Sequence, residues 1–312
     1  MQGDMKYMIQ QLKNKKILIT GGTGFIGKKL VERLEKNNIE SYVLTRRKIS
    51  DSAKTKYIQC DLNTLEKYPD ELKEIEFDYC IYLAANIPTI GEKKENYLEA
   101  KNSTLDPLIK FLTYFKKNIK KFIYTSSIDI LGKVQNLNYK EDEIPNNPTP
   151  YGLAKYCGEF YVQNICETEG IDWSILRFSQ VYGKNEPIVR IIPILIERIK
   201  EEQEFTLFTT GEEKRRFLHV NDAVNGIICA CLNGKQSIYN IAGEDIKSIN
   251  EVIKIIEENF EKKLKLNKLD KINGVDNIPN IDKAKSELNY KPEYILEKGI
   301  QEIVEEIKNV RG

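Results

Sequence analysis

A tyrosine and a lysine four residues apart are the side chains of this sequence best suited to chemistry. Tyr151 and Lys155 occur in the segment Y-G-L-A-K, and on a helix this spacing places both side chains on one face. A free phenol is a poor base at neutral pH, but a neighbouring ammonium group favours the phenolate and lowers its pKa. Such a pair can act as general acid and base for an alcohol and ketone pair. Solvated surface pairs have the same spacing, so the interpretation depends on the surrounding sequence.

Small hydroxyl side chains precede this pair at the end of a predicted strand, residues 121–126. The segment Y-T-S-S ends at Ser127, and ligands of parallel sheets bind at the carboxyl ends of strands. The single histidine, His219, is expected to be a hydrogen-bonded structural residue before a helix, because the tyrosine already supplies the acid–base group. One histidine excludes a multi-histidine metal site, and no metal is predicted.

A glycine-rich loop follows the first predicted strand, residues 16–20. The loop G-G-T-G-F-I-G spans residues 21–27 and leads into helical spacing over residues 25–35. Glycines allow the tight turn and let the backbone approach a pyrophosphate, and the helix N-terminus offers unpaired N–H groups to the anion. This strand–loop–helix context indicates a dinucleotide site rather than a plain structural turn. The expected cofactor contacts of the loop are Gly21, Gly24, Phe25, Ile26 and Gly27.

Two arginines follow the second predicted strand, Ser41–Thr45. An acid at this point would accept a hydrogen bond from the 2′-hydroxyl of the adenosine ribose in NAD, whereas a guanidinium group suits a 2′-phosphate. This chain has Arg46 and Arg47 there and no acid. The sequence therefore favours NADP(H) over NAD(H), although arginines that are solvated or stacked on adenine would accept either cofactor.

Short β-like runs alternate with helical stretches in the first half of the chain. This alternation predicts an α/β fold, a Rossmann-type doubly wound parallel sheet with helices on both faces. Residues 1–178, with parts of 205–245, are expected to form the dinucleotide-binding domain. Residues 179–312 are expected to form mainly a smaller C-terminal α/β substrate-binding lobe. The polar, charged segment 262–280 is predicted to be a surface loop or linker.

Positive and negative charges are almost balanced. The 312 residues include 48 Lys plus Arg and 47 Asp plus Glu, which gives no reason to expect a nucleic-acid or membrane partner. The apolar segment 188–199 is interrupted by charges and a proline and is too short to span a bilayer. Six scattered cysteines without a C-x-x-C motif predict reduced thiols in a cytoplasmic protein.

Together these motifs resemble the extended short-chain dehydrogenases/reductases, in the NAD(P)-dependent nucleotide-sugar epimerase and dehydratase branch. The resemblance covers nearly the whole chain. It includes the glycine loop, Y-T-S-S-I-D-I-L-G at 124–132, the Pro150-Tyr151 pair with Lys155, and R-F-L-H-V-N-D at 216–222. It implies that Ser127, Tyr151 and Lys155 are catalytic. Further implied cofactor contacts are Asp61, Leu62, Leu83, Ala84 and Ala85, and implied substrate contacts are Ser127, Gln180, Arg215 and Lys271.

The resemblance implies hydride transfer at C4 of a nucleotide-linked sugar. A 4-epimerase is expected, and an NADPH-dependent 4-keto-sugar reductase, which the arginine pair favours, or a 4-dehydrogenase are the alternatives. Dehydration is disfavoured, because the family's Thr-Asp-Glu triad is replaced by S-I-D at 127–129. A non-catalytic nicotinamide-binding protein would typically lack the tyrosine or the lysine. Helical stretches at 95–115 and 151–169 resemble those that pair across a two-fold axis in this family, which implies a homodimer.

Overall fold

Alternating strands and helices build the first part of the chain. The computed structural model describes residues 2–67, 69–87, 96–133, 137–187, 190–272 and 274–310, with the backbone alone at residues 2–4, 270–272 and 310. The elements up to residue 178 are α1 (Gln2–Gln10), β1 (Ile17–Thr20), α2 (Phe25–Lys36), β2 (Ser41–Thr45), β3 (Thr55–Gln59), β4 (Phe77–Tyr82), α3 (Tyr97–Ala100), α4 (Asp106–Phe115), β5 (Ile119–Ser127), α5 (Pro150–Glu169) and β6 (Asp172–Phe178).

The remaining chain has shorter strands between its helices. Its elements are β7 (Val181–Tyr182), α6 (Ile191–Lys200), β8 (Glu204–Thr209), β9 (Lys214–Arg216), β10 (Leu218–His219), α7 (Val220–Asn233), β11 (Ser237–Ile241), β12 (Ile246–Ser248), α8 (Ile249–Phe260), β13 (Lys265–Ile272), α9 (Asp282–Leu288) and α10 (Leu296–Val310).

Seven strands form one parallel sheet in the order β11-β6-β5-β4-β1-β2-β3. Helices α2, α7 and α9 pack on one face, and α4 and α5 on the other, so each face of the sheet is covered by its own apolar cluster. The chain leaves β3 at the sheet edge and re-enters beside β1 as β4. Connections therefore diverge between β1 and β4, and ligands bind at such a switch point. The predicted doubly wound Rossmann-type sheet is confirmed.

A third apolar cluster lies in the C-terminal region, between α6, α8 and α10. It corrects one expectation, because the segment predicted as a surface loop contains β13, which pairs in parallel with β8. Leu264 is buried and Leu266 packs against this cluster, whereas Lys265 is exposed. The strand is covered on one face only and carries lysines on the other. Its composition is therefore that of a surface loop, which explains the wrong prediction.

Helix α5 carries the predicted catalytic pair and has clear signals at both ends. The Thr149 side chain accepts a hydrogen bond from the Gly152 N–H, Pro150 occupies the first turn, and Gly170 ends the helix in the left-handed conformation. The long helical stretch predicted before it is divided: α3 and α4 are joined by a wider helical turn at 101–105. Its predicted first residue, Glu95, lies outside the described residues. Over the described ranges, no helix has the length and apolar character needed to cross a bilayer.

Candidate active site

The glycine loop turns tightly between β1 and α2. Gly21 has a φ of +70°, and the Gly24 N–H donates to the Gly21 carbonyl at 3.0 Å. A Cβ at Gly27 would lie 2.1 Å from that same carbonyl oxygen, and one at Gly21 would lie 2.8 Å from the Ala84 nitrogen. Helix α2 begins without a side-chain cap and without an acid in its first turn. Its exposed N–H groups and the close backbone approach that the glycines allow fit the pyrophosphate of a dinucleotide.

Two cavities adjoin this loop. The inner cavity, about 290 Å³, lies towards α5 and is lined by the loop together with Leu83, Ala85, Ser127, Tyr151 and Lys155. The β2-side cavity, about 400 Å³, lies at the ends of β2, β3 and β4 and is lined by the loop together with Arg46, Asp61, Leu62, Ala84 and Asn63. The structure thus brings the predicted cofactor residues together around one glycine loop, with the exception of Arg47.

The end of β2 places its two arginines differently. Both are exposed, but only Arg46 contributes to the wall of the β2-side cavity. Arg47 donates its backbone N–H to the Thr45 Oγ1 at 3.2 Å. Asp61, at the end of β3, accepts hydrogen bonds from the backbone and side chain of Asn63, at 3.0 and 2.9 Å. Of the two arginines predicted to read the adenosine ribose, only Arg46 is therefore part of this wall.

The N-terminus of α5 is pressed against the turn that follows β5. A Cβ at Gly152 would lie 2.2 Å from the Asp129 carbonyl oxygen, so no larger residue fits between helix and turn. Ser127 shapes that turn by accepting a hydrogen bond from the Asp129 N–H at 3.1 Å. This contact brings Tyr151 and Ser127 into the wall of the same inner cavity, as the motifs predicted.

Lys155 is buried one helical turn after Tyr151, with 2% of its surface exposed. Its Nζ donates to the Thr125 carbonyl at 2.8 Å and lies 4.8 Å from the centre of the Tyr124 ring. Burial lowers the pKa of the Lys155 ammonium to about 7, and the charge of Glu159 one turn later opposes this shift. The lysine is therefore held near the end of β5, in the wall of the inner cavity.

A buried ion pair fixes the other side of α5 to the sheet. Arg177, on β6, binds Glu159 through two hydrogen bonds of 3.0 and 2.7 Å, and its third nitrogen donates to the Glu141 carbonyl at 2.7 Å. Both side chains are almost completely buried. Removing either partner would leave a buried charge without compensation, so the pair locks the position of α5 relative to β6.

A third cavity, about 420 Å³, extends from Tyr151 towards β9 and is called the arginine cavity here. It is lined by Ser127, Asp129, Gln180, Arg190, Glu213, Arg215, Arg216 and Asn277, among others. Gln180 and Arg215, which the resemblance implied as substrate contacts, both line this cavity. Lys271 lies in β13, but its side chain belongs to the part of the chain that is not described.

Several polar side chains of these walls were missed by sequence reasoning. Arg190 immediately precedes α6, lies 4.0 Å from Asp129 and lines both the inner and the arginine cavity. Glu213 and Arg216 each have a buried polar atom without a hydrogen-bond partner among the described residues. No local motif singles out Arg190, whereas Arg216 begins the R-F-L-H-V-N-D motif, which did not identify it as a residue of the cavity wall.

His219 has the structural role expected of it. It precedes α7 and its Nδ1 accepts a hydrogen bond from the Asn221 N–H at 3.3 Å. Its ring stacks on Tyr294 at 3.7 Å between centroids. Burial lowers the pKa of His219 to about 3, so the ring is neutral at physiological pH.

Comparison with known proteins gives matches that cover most of the chain. The pattern of the NAD dependent epimerase/dehydratase family matches residues 17–242. A putative UDP-glucose 4-epimerase of Methanocaldococcus jannaschii is 32% identical over 94% of this chain and 98% of its own. A dTDP-4-dehydro-6-deoxyglucose reductase of Escherichia coli is 24% identical over 94% of this chain and 97% of its own. The crystal structure of a UDP-glucose 4-epimerase with UDP-glucose, from Thermotoga maritima, has a TM-score of 0.82 and 25% identity, covering 95% of this chain and 100% of that one.

Proposed function

Because the chain belongs to the NAD dependent epimerase/dehydratase family, we propose that it interconverts the two C4 epimers of a UDP-linked hexose. The resemblance recognised in the sequence motifs is confirmed by the family match, and so is a nicotinamide-dependent nucleotide-sugar enzyme. The observation that carries the proposal is that Ser127 and Tyr151 line both the inner cavity and the arginine cavity. A sugar joined to a diphosphate near Arg215 would present its hydroxyls to these two side chains.

Each residue of the catalytic corner has a separate task. The nicotinamide ring, when bound in the inner cavity, supplies a reversible hydride acceptor. Tyr151 removes the proton of the C4 hydroxyl and returns it, and Ser127 hydrogen-bonds the oxygen on which charge develops. Lys155 favours the phenolate of Tyr151 by its positive charge and holds the ribose hydroxyls of the cofactor.

The cofactor is proposed to be NADP(H) in preference to NAD(H). Arg46 supports this preference, because it belongs to the wall of the β2-side cavity, where Thr45 occupies the end of the strand and no acid follows it. A charge-assisted hydrogen bond to a 2′-phosphate has no equivalent with NAD.

A homodimer is proposed to form through α3 and α5. Apolar side chains on these two helices are exposed in the single chain: Tyr97, Leu98, Leu153, Phe160 and Tyr161. The two helices are in contact, so these side chains contribute to one region of the surface. A contiguous exposed apolar patch of this kind is typical of protein–protein interfaces.

A 4-keto-sugar reductase is the second candidate, and Arg46 favours it because such enzymes draw on NADPH. An E. coli relative bears the name of a reductase of this type. The two reactions differ in what happens to the cofactor. An epimerase regenerates it in each turnover, whereas a reductase consumes one equivalent for each sugar.

A label at C4 distinguishes these reactions. The protein is incubated with UDP-glucose or UDP-galactose carrying deuterium at C4 and with a catalytic amount of oxidised cofactor. We expect the same equilibrium mixture from either epimer, with deuterium retained at C4 and no accumulation of reduced cofactor. Conversion of the added cofactor to its reduced form, with an equal amount of 4-keto sugar and no second epimer, would indicate a dehydrogenase. Turnover only of a 4-keto sugar with stoichiometric NADPH would indicate a reductase.

A further inference from the structure

A carboxyl group that no sequence motif identifies lies in the wall of the inner cavity. Glu186 follows β7 and lines this cavity together with Tyr151 and Lys155. Its backbone N–H donates to the Gly183 carbonyl at 3.1 Å, which closes a turn. Its Oε2 atom is buried and has no hydrogen-bond partner among the described residues. A buried carboxylate oxygen left without a partner is costly unless something else compensates it.

The surroundings of Glu186 compensate its charge incompletely. Burial raises the pKa of Glu186 to about 8, although the charge of Arg190 and the Gly183 backbone oppose this shift. Arg190 also lies 4.0 Å from Asp129, so its charge is shared between two carboxyl groups. In the same cavity wall, the Lys155 ammonium is held by the Thr125 carbonyl on the sheet side.

The charges on the outer side of Glu186 are already paired. Glu186 also borders a groove between α6 and α10, which contains Glu197, Lys200 and Glu306. Lys200 lies 3.1 Å from Glu197, and Glu306 lies 2.7 Å from Lys184. Among the described residues of this groove, no cation is therefore left to neutralise Glu186, which also lines the inner cavity.

We propose that Glu186 makes the inner cavity select the oxidised, positively charged nicotinamide ring over the reduced, neutral ring. A carboxylate in a poorly solvated wall attracts the cationic ring and has no comparable interaction with the neutral one. A site can prefer one redox form of the cofactor only if it interacts more favourably with that form than with the other. The inference rests on the nicotinamide cofactor and does not depend on which sugar or which reaction the protein uses.

Ionisation of Glu186 links this selection to pH. At pH 7 a carboxyl group with a pKa of about 8 is mainly protonated in the free protein. The cationic ring favours the ionised form, so its binding releases a proton, whereas binding of the neutral ring does not. Preference for the oxidised cofactor is therefore expected to increase from about pH 6.5 to about pH 8.5. Lys155 also has a pKa near neutrality, and loss of its proton would change the preference in the same direction.

Calorimetric titration with NADP⁺ and NADPH, and with NAD⁺ and NADH, tests the proposal without any sugar or turnover. The compared proteins are the wild type, Glu186→Gln, Glu186→Asp and Glu197→Gln. Glu197 is the matched control, because it borders the outer groove but not the inner cavity. We expect Glu186→Gln to reduce the ratio of reduced to oxidised dissociation constants by about tenfold at about pH 8.5 and by less at about pH 7.

Glu186→Asp retains the charge and is expected to preserve most of the ratio, and Glu197→Gln should match the wild type. Repeating the titrations in buffers of different ionisation enthalpy measures the protons released on binding. We expect the wild type to release protons when it binds the oxidised cofactor, and Glu186→Gln to release fewer. An unchanged ratio, or equal weakening of both cofactor forms, would assign Glu186 a role in shape only and overturn the proposal. So would a ratio that rises with pH equally in wild type and Glu186→Gln, because Lys155 would then be the source. If Glu186→Gln does not fold, a pH-independent ratio in the wild type would overturn the proposal by itself.

Discussion

The two cavities around the glycine loop and the arginine cavity are built in different ways. Around the loop, the walls come from strand ends and from backbone that can approach a ligand because glycines stand at Gly21, Gly24 and Gly27. In the arginine cavity, the polar and charged groups come from the turn after β5, from the residue before α6, from β9 and the residue before it, and from the segment before α9. The first kind of site is defined by local backbone geometry, and the second by how distant segments pack. Substitutions should accordingly affect cofactor binding and substrate binding separately.

The largest effect is expected where the cavities meet. Tyr151→Phe keeps the buried ring but removes the hydroxyl, and loss of general acid–base catalysis should reduce kcat by about 10²- to 10⁴-fold. Thermal unfolding and cofactor affinity should stay close to wild type. Tyr156→Phe is the control, because Tyr156 lies on the same helix, packs on Phe160 and is not part of either cavity wall. Full activity of Tyr151→Phe would contradict the assigned mechanism.

Within the glycine loop, two glycine-to-alanine substitutions should differ in their effect on stability. Gly27→Ala would place its Cβ 2.1 Å from backbone oxygen, so the loop or α2 must shift, at a cost of about 1–3 kcal/mol in the free energy of unfolding. Gly24 has a φ of −81°, and its Cβ would meet only the Gly21 oxygen, at 3.2 Å. Gly24→Ala should fold normally and weaken cofactor binding. Denaturant unfolding and cofactor titration measure the two effects, and equal losses of stability would show that the loop relaxes freely.

In the arginine cavity, Arg215→Ala should raise KM for the nucleotide sugar with little change in cofactor affinity. A charge-assisted hydrogen bond to a diphosphate contributes about 1.5–3 kcal/mol, which corresponds to roughly one to two powers of ten. Lys214→Ala is the control, because Lys214 is the exposed neighbour on β9 and is absent from the cavity wall. Steady-state kinetics with UDP-glucose measures the difference. Similar KM values for the two variants would remove Arg215 from the binding site.

The smallest effect is expected at the exposed end of β2. Arg46→Ala should weaken NADPH binding by about tenfold and NADH binding very little, because only the 2′-phosphate gains a charged bond. Salt should reduce the difference, since this arginine is exposed. Arg47→Ala should have less effect, because Arg47 is not in the cavity wall. Cofactor titration measures these affinities, and tighter binding of NADH than NADPH by the wild type would show that Arg46 faces solvent or stacks on adenine.

The sequence alone was sufficient for the sheet and for the residues that depend on local geometry. The buried strands β1 and β2 consist mainly of apolar and β-branched residues, and the glycine loop carries its own turn signals. Tyr151 and Lys155 share a helix face by spacing alone. These features were predictable because strand period, helix period and the requirement for glycine operate within a few residues. The strand β13 was not predictable, because its exposed lysines obscure the alternation of apolar and polar residues. Its strand structure depends on pairing with β8, which is distant in the chain.

The sequence by itself determined the glycine loop, the helical spacing of Tyr151 and Lys155, and the family, since each resides in contiguous residues. Only the tertiary structure decided that Glu186 and Arg190 reach the inner cavity, that Arg46 rather than Arg47 enters the β2-side cavity, and that Glu159 locks α5 through Arg177. The physical reason is that burial, charge compensation and cavity walls depend on residues far apart in the chain. Electrostatic energies depend on distance and solvation, and neither quantity is set before the segments pack.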